Sequence, residues 1–189
     1  FQRAWRYGFR GLEARHKGFG ETFAKDRPAA LATFKKSDVP LAYWTAAALA
    51  AQISISKDDM NLIGRLPEVE ALMSKALELD ESWNDGAIHE FFATYEAARA
   101  DASADGVKRA KGHYDRVLLL TGEQKLAPLV SWAEGVCVQK QDRKGFLERL
   151  DKVLAFDADS APSFRLVNLV TQRRARWLKS RTADLFLED

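Results

Sequence analysis

The segment Leu72–Arg99, LMSKALELDESWNDGAIHEFFATYEAAR, decides the fold that this sequence predicts. Its first part continues a face of apolar residues at the i, i+3, i+4, i+7 and i+8 positions of a helix. Polar residues 80–82 interrupt this face, and a second apolar face follows at Ile88, Phe91, Phe92, Tyr95 and Ala98. Two amphipathic helices joined by so short a connection need each other to bury their stripes. The segment therefore predicts an antiparallel helical hairpin.

Two later segments repeat the pattern of this hairpin junction. Aligning Leu77, Leu118 and Leu154 gives spacings of 41 residues (77 to 118) and 36 residues (118 to 154). A tetratricopeptide repeat has two helices and a period of about 34 residues. The longer spacing contains the polar segment 101–106, which we expect to be a loop that absorbs most of the excess. The sequence thus predicts an all-α fold of tetratricopeptide-like antiparallel hairpins stacked in a superhelix.

The composition is that of a globular helical protein with balanced charge. The 189 residues include 29 basic and 27 acidic side chains, a net charge of +2, which does not support nucleic-acid binding through a global field. No apolar run is long enough to span a bilayer. We expect a single α-helical domain over 1–189, with N-terminal helices in 1–36, tetratricopeptide-like hairpins in 37–179 and a C-terminal segment in 180–189.

Three further expectations concern individual helices. Residues 21–36 form a second N-terminal helix with Phe23, Leu31 and Phe34 facing inward. The alanine-rich helix that follows residues 38–40 lies centrally, because small side chains let neighbouring backbones approach. The last long helix, 162–179, carries apolar residues on two faces and is therefore expected to be sandwiched between neighbours.

The sequence contains no motif of catalysis or cofactor binding. His89-Glu90 resembles part of the zinc motif H-E-x-x-H, but the second ligand position holds Ala93. His89 is more simply a hydrogen-bonded, partly buried side chain, and the lone cysteine, Cys137, a buried small hydrophobe. No Walker loop, G-x-S-x-G or G-x-G-x-x-G is present. We expect no metal, no cofactor and no enzymatic activity.

Two groups of residues are candidates for a binding site. Arg173, Arg174 and Arg176 cannot all point one way, so we expect at least one to face inward or an interface, and Arg174 is the candidate for meeting a ligand carboxylate. The alternative is a solvated face near a helix C-terminus. Aromatic residues are more numerous than a minimal core needs and could wall an apolar cavity, although each could be ordinary core packing. The cavity candidates are Tyr43, Trp44, His89, Phe92, Tyr95, Trp132 and Trp177.

Six segments in this order resemble the TRAP-transporter T-component family (TatT). They are WRYGFRG at 5–11, YWTAAA at 43–48, ISISKDD at 53–59, ALELD at 76–80, GAIHEF with YEAAR within 86–99, and QRRARWL at 172–178. The resemblance implies a non-catalytic, tetratricopeptide-like periplasmic lipoprotein that associates with the solute-binding P-component of a tripartite ATP-independent periplasmic system. It also implies a homo-oligomer with an apolar channel suited to hydrophobic or carboxylated ligands. Because the sequence begins at Phe1, we expect the signal peptide and lipid anchor to lie outside it.

Two functional hypotheses follow. The first is a transport accessory that docks a solute-binding protein and handles an apolar acid in an internal cavity. The alternative is a plain tetratricopeptide adaptor with a filled core, which binds only a protein partner on its concave face. An internal cavity separates the two, because an adaptor needs none.

Overall fold

A computed structural model describes residues 1–98 and 104–187, and the regular elements within these ranges are all helices. The all-α prediction is confirmed, whereas the stacking of hairpins in a superhelix stays a prediction. The α-helices are α1 (Gln2–Arg15), α2 (Phe19–Lys25), α3 (Arg27–Leu31), α4 (Val39–Ser54), α5 (Met60–Ile63), α6 (Leu66–Leu79), α7 (Trp83–Ala98), α8 (Ala104–Leu120), α9 (Ala127–Trp132), α10 (Arg143–Ala155), α11 (Arg165–Ser180) and α12 (Thr182–Leu185). Shorter 3₁₀ turns occur at Lys36–Asp38, Ala158–Ser160 and Pro162–Phe164, and a π-helical turn at Ala133–Cys137.

The chain divides into two compact units, Phe1–Trp83 and Asn84–Asp189. The division falls at the segment that decides the predicted fold. There α6 ends at Leu79 and α7 begins at Trp83, with three consecutive left-handed residues, Asn84, Asp85 and Gly86, in its first turn. The prediction of one domain over 1–189 stays a prediction.

The first unit is built around α4, against which α1 and α6 pack. Ala42 and Ala46 are buried in this helix, which confirms the central position expected from its small side chains. Gly8 makes the close packing of α1 possible, because a Cβ at this residue would lie 2.3 Å from Oγ1 of Thr45. A glycine that weakens a helix in isolation thus serves helix–helix contact here.

The predicted helix over 21–36 is wrong in its length. Asp26 breaks it into α2 and α3, since its backbone is extended and its carboxylate accepts a 3.0 Å hydrogen bond from the Ala29 amide at the start of α3. The predicted inward residues Phe23, Leu31 and Phe34 are nevertheless all buried. The apolar periodicity therefore predicted correctly which side chains are buried, but it did not predict that the helix breaks at Asp26.

The second unit has a core of buried side chains from α8, α9, α10 and the segments that follow them, with Phe146 and Leu150 fully enclosed. Cys137 is buried in this core, as predicted. Of the predicted loop over 101–106, residues 104–106 belong to α8 instead, and residues 101–103 lie outside the described ranges.

The expectation that the last long helix is sandwiched is wrong. Its apolar residues Leu166 and Trp177 are 77% and 50% exposed, while its buried face carries Asn168 and Gln172. Asn168 accepts a hydrogen bond from the Leu126 amide at 3.0 Å and donates to the Gln124 carbonyl at 2.8 Å. Gln172 donates to the carbonyls of Val153 and Phe156 at 3.1 and 2.7 Å. Buried backbone groups of neighbouring segments need these partners, so hydrogen bonding selects the inward face of α11.

Candidate functional site

A cavity of about 330 Å³ lies within the second unit, between α7, α8 and the α9–π segment. One wall is a single face of α7, formed by Glu90, Ala93, Thr94, Ala97 and Ala98 at helical spacing. Three of these five residues are alanines, whose short side chains leave the space open. The volume falls within the roughly 300–1,000 Å³ of pockets that enclose small molecules.

The opposite wall comes from α9 and the π-helical turn that continues it. Pro128, Ser131, Trp132, Gly135 and Val136 line the cavity from this side. The turn spans Ala133–Cys137, and a Cβ at Gly135 would meet no atom within 4 Å. Single π turns inside α-helices frequently occur at functional sites, because they change which residues face a given side.

Aromatic packing closes the cavity toward the core of the unit. Tyr114 of α8 and Trp132 lie with ring centroids 4.8 Å apart. The Arg149 guanidinium stands 6.0 Å from the Trp132 ring centroid, and its Nη1 donates to the Gly145 carbonyl at 2.8 Å. Burial raises the pKa of Tyr114 above its ordinary value, so this phenol stays neutral at physiological pH. The inner wall therefore presents uncharged aromatic surface.

The cavity lining includes the polar side chains of Thr94, Ser131 and Gln139 and one charged side chain among the described residues, Glu90, whose charge is already matched. Lys125, only 9% exposed, places Nζ 3.1 Å from Glu90 Oε2. Burial raises the pKa of Glu90, and the nearby ammonium of Lys125 offsets part of this shift. Oε1 of Glu90 is buried and has no hydrogen-bond partner among the described residues. The described lining thus offers a mainly apolar surface with three neutral polar side chains and one ion-paired carboxylate, and contains no cation.

The structure brings one of the predicted cavity residues, Trp132, into this cavity. Tyr43 and Trp44 belong to the first unit, where Tyr43 packs against Trp83 at a centroid distance of 4.6 Å and Trp44 is exposed. Tyr95 stacks on Phe91 at 5.5 Å rather than lining the cavity wall.

Arg174 and Trp177 lie together on the exposed side of α11. An ion pair joins Arg174 Nη2 to Glu134 Oε1, and the Arg174 guanidinium lies 4.2 Å from the Trp177 ring centroid. Neither residue is part of the cavity lining in the described ranges. Arg173 and Arg176 are also exposed, so none of the three arginines faces inward, and the expectation that one of them faces an interface stays a prediction.

His89 and Phe92 meet a residue that sequence reasoning did not single out, His113. The two histidine Nδ1 atoms are 2.8 Å apart, so one ring donates the hydrogen bond and the other accepts it. Phe92 stacks on His113 at a centroid distance of 5.0 Å. Burial, and then the charge of His89, lower the pKa of His113. The prediction that His89 is hydrogen-bonded is confirmed, and no cluster of three metal-ligating side chains occurs among the described residues.

Sequence reasoning also missed the small residues that create the cavity. Ala93, Ala97 and Ala98 recur on one face of α7 within a segment otherwise rich in aromatic residues. These small side chains share a helix face with Thr94 and Glu90, and this was the available signal for a cavity. The signal is weak, because alanine is the best helix former and therefore occurs on many helix faces that line no cavity.

The geometry defines a helical protein with a ligand-sized, mainly apolar cavity whose described lining contains one ion-paired carboxylate. Residues 1–186 match the TRAP transporter T-component family, and the chain belongs to this family. It is also 26% identical, over its full length, to an uncharacterized protein of Treponema pallidum (strain Nichols). The chain spans 59% of the length of that relative. No helix in the described ranges is both long and apolar enough to cross a membrane.

Proposed function

We propose that this protein is a non-catalytic accessory of a TRAP (tripartite ATP-independent periplasmic) transport system, docking the periplasmic solute-binding P-component and holding a hydrophobic ligand. Family membership supports the transport role. The observation that carries the ligand role is the cavity of about 330 Å³ with apolar walls in the second unit. A periplasmic location, a lipid anchor outside this sequence and a homo-oligomeric state belong to the same proposal.

The cavity favours a neutral apolar ligand over a carboxylated one. Burying a ligand carboxylate requires a positive partner, because an unpaired charge in a water-poor site is costly. Lys125, beside the lining, is held by Glu90. Arg149 lies behind the wall formed by Tyr114 and Trp132, where its guanidinium packs near the Trp132 ring and donates to the Gly145 carbonyl. Arg174, the residue that the sequence suggests for a carboxylate, pairs with Glu134. The proposal therefore assigns none of these three cations to the ligand.

The experiment compares a cavity-filling variant with a matched surface variant. Ala93→Phe places a ring in the middle of the α7 wall, whereas Ala155→Phe makes the same change at the exposed end of α10. The neutral apolar probe N-phenyl-1-naphthylamine is titrated by fluorescence, and the protein purified from periplasm is examined by native mass spectrometry for released molecules. We expect Ala93→Phe to weaken probe binding about tenfold or more, since the cavity would be occupied.

The result for the control decides the interpretation. If Ala155→Phe weakens binding as much as Ala93→Phe, the probe binds the surface and the cavity role is wrong. If both variants bind the probe as tightly as the wild type does, the cavity role is also wrong. Circular dichroism of each variant establishes that the helical fold is retained, and the smaller substitution Ala93→Leu serves if Ala93→Phe fails to fold.

A protein-binding adaptor is the second candidate, and the exposed face of α11 favours it. Leu166, Val170 and Trp177 are exposed on this helix together with arginines, and Trp and Arg are enriched where interfaces bind most strongly. Native mass spectrometry with the solute-binding protein added tests this role. A complex that forms equally well with Ala93→Phe, from preparations that release no small molecule, would support the adaptor and exclude the ligand-handling role.

A further inference from the structure

A second, smaller cavity lies wholly within the first unit, and its wall contains an arginine whose charge has no partner. The cavity measures about 200 Å³ and is bounded by Trp5 and Phe9 of α1, Phe23 of α2, and the side chains of Arg27 and Arg65. We propose that it binds a small organic anion with an aromatic or apolar body. This site is separate from the cavity of the second unit and does not depend on the function proposed for that cavity.

Arg27 carries the argument. Its side chain makes no ion pair and no hydrogen bond with the described residues, although it is half-buried and its Nε is fully enclosed. The Phe23 ring lies beside it, with its centroid 5.8 Å from the guanidinium carbon. Guanidinium groups removed from water are normally matched by acidic or carbonyl oxygens. The four Nη–H donors of Arg27 are therefore available to a ligand, whereas the enclosed Nε–H is not.

The acidic side chains near the cavity are engaged elsewhere. Glu68 accepts both hydrogen bonds of a bidentate pair from Arg65, at 2.9 and 2.8 Å. Glu13 accepts from the Gly18 and Gly20 amides, each at 2.7 Å. Glu68 thus balances Arg65, and the charge of Arg27 remains as a net positive charge in the lining. A ligand oxygen there would form a new ion pair without displacing an existing one.

Trp5 lines the same cavity and can report on its occupant. Its indole Nε1 is enclosed and has no hydrogen-bond partner among the described residues. Its ring is fixed between the Arg65 guanidinium, 4.1 Å from the ring centroid, and Phe9 at 5.3 Å. The Trp5 ring is part of the cavity wall, so a ligand packed against it would change the surroundings of its N–H without hydrogen-bonding to it.

Size and wall chemistry narrow the ligand class. A volume of about 200 Å³ is below the roughly 300 Å³ at which pockets begin to enclose drug-sized molecules, so a single-ring acid is a suitable occupant. Three aromatic side chains form the apolar wall, and the unpaired charge of Arg27 disfavours a cation, since Glu68 neutralises Arg65 in the same lining. A carboxylate can meet a guanidinium with two parallel hydrogen bonds, which a neutral alcohol cannot do.

Benzoate is the probe, and the Trp5 indole reports on it directly. The indole N–H signals of the five tryptophans are recorded by ¹H–¹⁵N NMR, and Trp5→Phe assigns the relevant signal. We expect benzoate to shift the Trp5 signal saturably, benzyl alcohol to leave it in place, and Arg27→Gln to weaken benzoate about tenfold or more. Arg3→Gln, a change of an exposed arginine on α1, is the control and should keep wild-type affinity.

Three outcomes would overturn the proposal. These are the absence of a saturable Trp5 shift at millimolar benzoate, an equal response to benzyl alcohol, and unchanged benzoate affinity in Arg27→Gln. Arg27→Lys keeps the charge but not the planar fork, so we expect an affinity between those of the wild type and Arg27→Gln. If Arg27→Gln does not fold, Arg27→Lys is the deciding variant. A benzoate affinity of Arg27→Lys equal to that of the wild type would then contradict bidentate binding by Arg27.

Discussion

Replacing Gly8 by alanine should destabilise the first unit, although alanine is the better helix former. A Cβ at this position would lie 2.3 Å from Oγ1, 3.0 Å from Cβ and 3.2 Å from Cα of Thr45. Ordinary contact between such atoms is about 3.5–4.0 Å. Thr45 is fully buried and its hydroxyl donates to the Leu41 carbonyl at 2.6 Å, so it cannot simply turn away. Helix α1 would have to move off α4.

The magnitude follows from two opposing terms. Overpacking a core costs about 1–3 kcal/mol, and a contact with backbone atoms belongs to the upper part of this range. Exchanging glycine for alanine inside a helix returns about 1 kcal/mol. The net expectation for Gly8→Ala is a loss of about 2 kcal/mol in the free energy of unfolding. Urea denaturation followed by circular dichroism measures it, with separate fits if the two units unfold in separate transitions.

Two other glycines provide matched controls for this reasoning. At Gly11 the new Cβ would meet the end of the Leu41 side chain at 3.1 Å, which can shift, so the net effect should be near zero. At Gly112 in α8 nothing lies within 4 Å, and alanine should stabilise by about 0.5–1 kcal/mol. Thr45→Ala should recover part of the loss in the Gly8→Ala background. A Gly8→Ala protein that is as stabilised as Gly112→Ala would refute the close approach of α1 and α4.

Three further predictions concern the second unit. Burial lowers the folded-state pKa of His113 below the usual value near 6.5, so the unfolded chain binds the proton more readily than the folded chain. The free energy of unfolding therefore falls as the pH drops below that value. Melting temperatures measured between about pH 5 and 7.5 should show this dependence, and His113→Gln should flatten it. Lys125→Met leaves the partly buried Glu90 without its cation and should cost about 2 kcal/mol at neutral pH in urea denaturation. The loss should be smaller when Glu90→Gln is combined with it. Asn168→Ala should cost about 2 kcal/mol, because it removes the partner of the buried Leu126 amide and of the partly buried Gln124 carbonyl. Leu166→Gln, on the exposed side of the same helix, should change stability by no more than about 0.5 kcal/mol.

Periodicity predicted the helices well where apolar burial alone selects the buried face. The alanine-rich helix α4 and the buried Phe23, Leu31 and Phe34 illustrate this. It failed on α11, where apolar residues occupy two faces and the amide side chains of Asn168 and Gln172 decide which one turns inward. These amides must hydrogen-bond to backbone groups of other segments. That requirement is a tertiary property, which apolar periodicity does not encode.

The cavity of the second unit was difficult to predict for a different reason. A cavity forms where side chains are short. The sequence prediction instead selected the aromatic residues that were expected to surround a cavity. Most of those residues pack against each other instead, as Phe91 with Tyr95 and Phe92 with His113 show. Aromatic pairs are favourable in themselves, so a surplus of rings does not imply a cavity. Trp132 lines it because the α9–π segment turns that ring toward the alanines of α7.

The contrast between Arg174 and Arg27 shows why charge density in a sequence is a poor guide to an anion site. Arg174 belongs to a conspicuous basic run, but a ligand carboxylate there would replace Glu134 and exchange one exposed ion pair, worth about 0–1 kcal/mol, for another. Arg27 follows an aspartate that caps α3 and attracts no notice, yet it has no acidic partner and adjoins an aromatic cavity. We therefore expect Arg174→Gln to leave benzoate affinity unchanged and Arg27→Gln to weaken it, measured side by side in the same NMR titration. Equal losses in both variants would mean that the probe responds to overall positive charge, and the reverse order would return the anion site to α11.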